Sequence, residues 1–174
     1  MSIELLAPKA TFRTRVKVND NYDWKDLTTD QIFANKRVVV VSLPGAFTPT
    51  CTTFQLPGFD SKYGEFKALG IDEVYCASVN DSFVMNAWFR QLQIQNVKPI
   101  PDGNGDFTRK MGFLCEKKPN GFGERSWRYA MVVNNGVIER IFEEDGFDDN
   151  VSVDYDPYVE TTPEVILNFI RGGN

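Results

Sequence analysis

Residues 37–43, Arg-Val-Val-Val-Val-Ser-Leu, constrain the fold of this chain more than any other stretch. Four successive valines are stiff at χ1 and show no alternation of apolar and polar residues, which suits a strand buried on both faces of a sheet. The aliphatic run Val38–Val41 is far shorter than the roughly 20 residues needed to span a bilayer. It is therefore read as the central strand of a layered domain.

The other elements arrange themselves around it. Residues 73–79 (EVYCASV) read as a second buried strand. Between the two, Phe59, Tyr63, Phe66 and Leu69 recur at helical spacing and stop at Gly70, while Pro57 is expected to kink or divide any helix that begins earlier. After the second strand, Asp81 or Ser82 caps a helix whose Val84, Ala87, Trp88 and Leu92 share a face. Pro101–Gly105 is turn chemistry, and residues 106–112 fit one or two helical turns. Tyr129–Val133 and Val137–Phe142, joined by Asn134-Asn135-Gly136, read as an antiparallel hairpin. Thr161-Thr162-Pro163-Glu164 resembles a capping box that opens a last helix through Val165, Ile166, Phe169 and Ile170.

At the other end, the alternating residues 10–18 and Trp24, across a turn at Asn19–Asn21, suggest an edge hairpin. The order is hairpin, βαβα, hairpin, helix. It predicts an α/β, thioredoxin-like three-layer fold with a central mixed sheet and an N-terminal β-hairpin. At 174 residues, without repeats or a linker, the chain is expected to be a single domain over 1–174.

Composition narrows the chemistry. There is no histidine, which removes the Ser-His-Asp and Cys-His mechanisms and the commonest zinc and copper ligand. Three cysteines, at 51, 76 and 115 and without a CxxC pair, fit neither a disulfide scaffold nor a zinc site, so a reducing compartment and no metal are expected. The opening MSIELLAPKATFRTR carries Glu4 and no signal-like apolar core, so a cytoplasmic location away from any membrane is expected.

The net charge is −5, but eight acidic and no basic residues fall within 143–160, which reads as a solvated loop. The rest of the chain is slightly basic, and nucleic acid is not an expected partner. Asp102-Gly103-Asn104-Gly105 lacks the glycine and glutamate spacing of a calcium loop and reads as a turn.

The chemical signal lies directly after the central strand, in Pro44-Gly45-Ala46-Phe47-Thr48-Pro49-Thr50-Cys51. A cysteine where a strand passes into a helix meets the positive end of the backbone dipole and unpaired N–H groups, both of which favour a thiolate. Taken alone, a cysteine is more often a small core residue than a nucleophile, and Thr48 could equally be a turn or cap residue. Arg128 could pair with a surface carboxylate, and Arg125, three residues away, is its rival.

The surrounding residues weigh these readings. Pro44-x-x-x-Thr48-x-x-Cys51 resembles the PxxxTxxC signature of peroxiredoxins, and the full octapeptide is similar to their Prx5/PrxII-type (atypical) subfamily. The similarity continues through Leu56-Pro57-Gly58, Ser78-Val79-Asn80-Asp81, Phe83-Val84-Met85, Pro101–Gly105 and Arg128–Val133, about residues 10–145. It is especially like the peroxiredoxin half of bacterial peroxiredoxin–glutaredoxin hybrids. No glutaredoxin-like CPFC motif is present, so a glutaredoxin partner is expected to be a separate protein.

The resemblance implies a thiol-specific peroxidase that reduces hydrogen peroxide and alkyl hydroperoxides through a sulfenic acid on Cys51. Thr48 would hold the peroxide, Arg128 would stabilise the thiolate and the developing oxyanion, and Pro44 would shield the sulfur from water. Backbone N–H groups of Thr50 and Cys51 are further candidate donors. No prosthetic cofactor is implied. Glutathione and glutaredoxin are the favoured reductants over thioredoxin, and a homodimer through the face around Phe47 is implied.

Cys76, in mid-strand, is expected to be a buried core residue. Cys115 lies in the more polar stretch Phe113–Lys118 and is expected to be exposed. Either is a candidate resolving thiol, and if neither serves, an external thiol reduces the sulfenic acid. Resembling sequences often carry histidine where Gln55 stands here, and a modest effect is expected from that exchange. Two other classes compete: a thiol–disulfide oxidoreductase on the same fold, disfavoured by the missing CxxC, and a redox sensor or chaperone-like binder whose Cys51 oxidises once without turnover.

Overall fold

In the computed structural model, which describes residues 3–147 and 156–173, the chain opens with the expected hairpin. Strands β1 (Thr11–Val18) and β2 (Asn21–Thr28) pair antiparallel around a two-residue loop in which Asn19 takes a left-handed φ of 57°. A short helix that the sequence reading left out, α1 (Thr29–Phe33), follows. Thr28 Oγ1 accepts from the Gln31 N–H while the Gln31 side chain accepts from the Thr28 N–H, a reciprocal capping box.

The valine run is β3 (Arg37–Leu43). A π-helical turn over Cys51–Gln55 leads into α2 (Leu56–Ser61) and α3 (Tyr63–Ala68). Pro57 lies in the first turn of α2, and the helical stretch divides at Lys62 (φ −95°, ψ 3°) before α3 begins. Next come β4 (Glu73–Ser78), α4 (Ser82–Gln91) and β5 (Lys98–Pro101), a strand that was not anticipated. Its two prolines cannot donate to a ladder, and it occupies an edge, where that costs little. Then follow α5 (Asp106–Met111), β6 (Leu114–Glu116), β7 (Glu124–Ser126), β8 (Tyr129–Asn134), β9 (Val137–Glu143) and α6 (Pro163–Ile170).

The central sheet runs β5-β4-β3-β8-β9, with β3, β4 and β5 parallel and β8 and β9 antiparallel. This is the mixed sheet of the thioredoxin-like fold. The β8–β9 turn has Asn135 at φ 48° and Gly136 at φ 81°, the left-handed pair of a type I′ hairpin. Because β3 is covered on both sides, its residues divide between two cores. Val39, Val41 and Leu43 pack with Phe59, Phe66 and Trp88, whereas Val38 and Val40 pack with Phe12, Ile32 and Tyr129. Each fully buried valine contributes about 2 kcal/mol of hydrophobic stabilisation.

Two details differ from the sequence reading. In α4 the fully covered residues are Met85 and Trp88, with Phe89 beside them, while Val84 and Leu92 are only partly covered and Ala87 is exposed. The β1 hairpin packs against the other side of that helix, where Ser82 Oγ accepts from the Arg15 N–H and Asn86 Nδ2 donates to the Arg15 carbonyl. In α6 the cap is Thr162, whose side chain accepts from the Val165 N–H. Thr161 is taken by Glu144 instead, so the box to Glu164 does not form. Among the described residues no helix is long and apolar enough to cross a membrane.

Candidate active site

The site is built at the C-terminal ends of β3 and β4. After Leu43 the chain turns through buried Pro44 and Gly45, then Phe47 adopts a left-handed φ of 65°, and the helical turn begins at Pro49. A non-glycine residue at that φ costs roughly 1–2 kcal/mol. The loop is fixed to β4 by Asn80: its Oδ1 accepts from the Ala46 N–H at 3.0 Å and from Ser78 Oγ at 2.6 Å.

Cys51 therefore sits in the first helical turn after the central strand, fully buried. The Leu56 N–H reaches back to the Cys51 carbonyl, the i→i+5 bond of a π turn. That widened turn accommodates Pro57, which lacks the N–H an α-helical continuation would use and whose ring would crowd the preceding turn. Trp88 Nε1 donates to Thr52 Oγ1 at 3.0 Å and fastens the turn to α4.

Arg128 immediately precedes β8, whose Tyr129 pairs with Ser42 near the end of β3, so the register brings its side chain to the cysteine. Its guanidinium is 1% exposed, and Nη1 donates to Cys51 Sγ at 3.3 Å. Nη1 also donates to Gln55 Oε1, Nη2 to Asp156 Oδ1, and Nε to the Pro157 carbonyl at 3.1 Å. Burial alone would pull this guanidinium down, but the facing Cys51 and Asp156 outweigh it and hold it above its ordinary value. It is a permanent cation against the sulfur.

The rival Arg125 is placed differently. Its Nη1 donates to the Pro44 carbonyl at 3.1 Å and its Nε to the Phe122 carbonyl at 3.3 Å, so it braces the loop. Gly45 makes room for it, since a Cβ there would lie 2.1 Å from Arg125 Nη1. Thr48 Oγ1 donates to the Gly45 carbonyl at 2.7 Å. With its proton committed there, the hydroxyl oxygen keeps its acceptor capacity.

The other two cysteines fall on opposite sides of the sheet. Cys76, in β4, is fully buried in the same core as Cys51. Burial, and then the neighbouring Cys51, push its thiol well above the usual range despite the opposing pull of Arg128. Cys115, in β6, is not exposed as the sequence suggested. It is 2% exposed and packs in the other core, beyond the sheet from Cys51.

The acidic stretch holds what the sequence reading missed. Its residues 148–155 lie outside the described residues, but Glu144 and Asp156 on either side are not solvated loop. Glu144 is 1% exposed, and its carboxylate accepts from the backbone N–H groups of Val159, Glu160 and Thr161 and from Thr161 Oγ1. Asp156 is the carboxylate on Arg128. Gln55 is also buried, and its Nε2 has no partner among the described residues. Asp102 caps α5 by accepting from the Phe107 and Thr108 N–H groups, as a turn residue would. Among the described residues no group of three or more His, Cys, Asp or Glu could hold a metal ion.

This arrangement can keep a thiolate beside a fixed positive charge and present N–H donors to an oxygen that approaches the sulfur. The Redoxin family model matches residues 7–155. A peroxiredoxin from Rhizobium etli is 56% identical over 176 residues, covering 98% of this chain and 97% of that protein. Hybrid peroxiredoxin hyPrx5 of Haemophilus influenzae is 51% identical over 137 residues, 79% of this chain and 55% of that one. The crystal structure of Plasmodium falciparum antioxidant protein (1-Cys peroxiredoxin) superposes with a TM-score of 0.90 at 32% identity, covering 98% of this chain and 100% of that one. The chain belongs to the redoxin family as a Prx5-type peroxiredoxin, an antioxidant thiol peroxidase.

Proposed function

We propose that Cys51 is the peroxidatic nucleophile and that the whole chain acts as one domain reducing hydrogen peroxide and small alkyl hydroperoxides in the cytoplasm. The observation that carries this reading is the buried 3.3 Å contact from Arg128 Nη1 to Cys51 Sγ. The thiolate attacks the terminal oxygen, the S–O bond forms as the O–O bond breaks, and the alkoxide or hydroxide leaving group takes up a proton to depart as alcohol or water. Negative charge moves from sulfur to the leaving oxygen, and a guanidinium fixed beside both stabilises the transfer.

Thr48 accepts a hydrogen bond from the peroxide, because its own proton is held by the Gly45 carbonyl. Pro44, buried and lacking an N–H, covers the sulfur without offering a competing donor.

Glutathione then attacks the sulfenic acid, giving a mixed disulfide and water, and a glutaredoxin exchanges the glutathione away. Support for an external thiol is the burial of Cys76 with a raised pKa and the position of Cys115 across the sheet. The hybrid relative's name and the 1-Cys description of the Plasmodium protein point the same way. In this reading the chain works as a homodimer through the face around Phe47, which leaves Phe47 46% and Phe83 58% exposed on the isolated chain.

The test is peroxide consumption by the purified protein with glutathione and glutaredoxin. Steady turnover that Cys51→Ser abolishes is expected. A wild-type rate no faster than that of the variant would overturn the reading.

A further inference from the structure

We propose that Asp156 is a positioning residue for peroxide reduction, which fixes the plane of the Arg128 guanidinium so that its Nη1 faces Cys51. The proposal rests on the role given to Arg128 above. A guanidinium is planar and donates in fixed directions, so its aim is set by what holds its edges. Here all three nitrogens are engaged: Nε on the Pro157 carbonyl, Nη2 on the Asp156 carboxylate, and Nη1 on Gln55 and the sulfur. The Asp156 contact is the one charge-assisted bond to a carboxylate among these, and it is opposite the edge that meets the sulfur. The Tyr158 ring closes over the same group, 5.8 Å from Cζ.

Asp156 is itself held. Three to five residues further on, the backbone N–H groups of Val159, Glu160 and Thr161 converge on the buried Glu144 carboxylate. Glu144 is in turn joined to Arg128 by its own N–H to the Arg128 carbonyl at 3.2 Å. The result is a short strap, 156–161, fastened at one end to the guanidinium and at the other to the residue paired with the arginine's backbone. Asp156 also sets a limit on the cation, because a second anion shares the charge that the thiolate uses.

The test compares Asp156→Ala and Asp156→Asn with wild type and Arg128→Gln in stopped-flow oxidation of the reduced protein by hydrogen peroxide, and in alkylation of Cys51 by iodoacetamide. Peroxide needs an aimed donor in the transition state, whereas alkylation needs only an accessible thiolate. Asp156→Ala is expected to slow oxidation on the order of 10²-fold, the scale of an ångström-size misplacement at a reacting centre. Its alkylation should change by no more than about threefold, and Asp156→Asn, whose amide oxygen still accepts from Nη2, should recover most of the lost rate.

Oxidation of Asp156→Ala at the wild-type rate while Arg128→Gln is slow would overturn this proposal and leave the role of Arg128 standing. Faster alkylation together with slower oxidation would reduce Asp156 to a structural prop, and also overturn it. A wild-type protein indifferent to peroxide would instead remove the proposed function beneath it.

Discussion

Arg128 Nη1 lies 3.3 Å from Cys51 Sγ although the two residues are 77 positions apart in the chain. They meet because β8 pairs antiparallel with β3, so that the residue before one strand adjoins the loop after the other. Arg128→Gln removes the charge and, with its shorter side chain, withdraws the donor that Nη1 aims at the sulfur. It is expected to slow Cys51 oxidation by about 10²–10³-fold, as for loss of an oxyanion-stabilising donor. Arg125→Ala, which frees the Pro44 and Phe122 carbonyls and leaves the donor on the sulfur in place, should cost no more than about tenfold. Stopped-flow oxidation of the two variants decides between the arginines, and a slower Arg125 variant would exchange their roles.

The cysteines are expected to behave unequally. A raised pKa keeps the Cys76 thiol protonated at pH 8, so native protein exposed to iodoacetamide at that pH should be labelled at Cys51 and spared at Cys76. Cys76→Ala and Cys115→Ala should each retain turnover with glutathione and glutaredoxin. Loss of turnover in either variant, with its fold intact by circular dichroism, would identify a resolving thiol.

Gln55 contributes two opposed terms. Its Oε1 accepts from Arg128, while its buried Nε2 is without a partner among the described residues. Gln55→Leu removes both, so stability should change by less than about 1 kcal/mol, because the lost acceptor is offset by the removed orphan donor. Oxidation of Cys51 should slow by less than about tenfold, since Arg128 keeps its other partners. Thermal unfolding and stopped-flow rates on the same sample check both halves.

Glu144→Ala should be the most destabilising of these changes. It leaves three backbone N–H groups and the Thr161 hydroxyl without their acceptor. Partial rehydration of the strap limits the cost to about 3 kcal/mol, and Tm should fall by roughly 6–12 °C for a chain of this size. A melting temperature within about 2 °C of wild type would mean that the strap finds other partners.

What could be read in the sequence was what is contiguous in it. Val38–Val41 marked the central strand because burial on both faces removes alternation. Asn135-Gly136 marked its hairpin because the turn needs two left-handed residues. Pro44–Cys51 pointed to the proposed nucleophile because the octapeptide resembles the peroxiredoxin signature in one unbroken stretch. Arg128 followed from its flanking block.

The rest depends on approach in space. Glu144 and Asp156 look like solvated charge in a run of carboxylates, and only the fold reveals that their partners lie 15–17 and 28 residues away. Cys115 sits among charged neighbours, yet Phe113 and Trp127 belong to the same core and bury it. The helix α1 was legible in principle, since Thr28 and Gln31 carry the spacing of a capping box.

The central claim is that Cys51 alone takes the oxygen. Its most direct test is peptide mass spectrometry of the reduced protein after one equivalent of hydrogen peroxide in the presence of dimedone, which traps sulfenic acid. The expected result is a dimedone adduct on the Cys51 peptide, sharply reduced in Arg128→Gln, with Cys76 and Cys115 unmodified. An adduct on Cys76 or Cys115, or peroxide left unconsumed with no adduct at all, would contradict it.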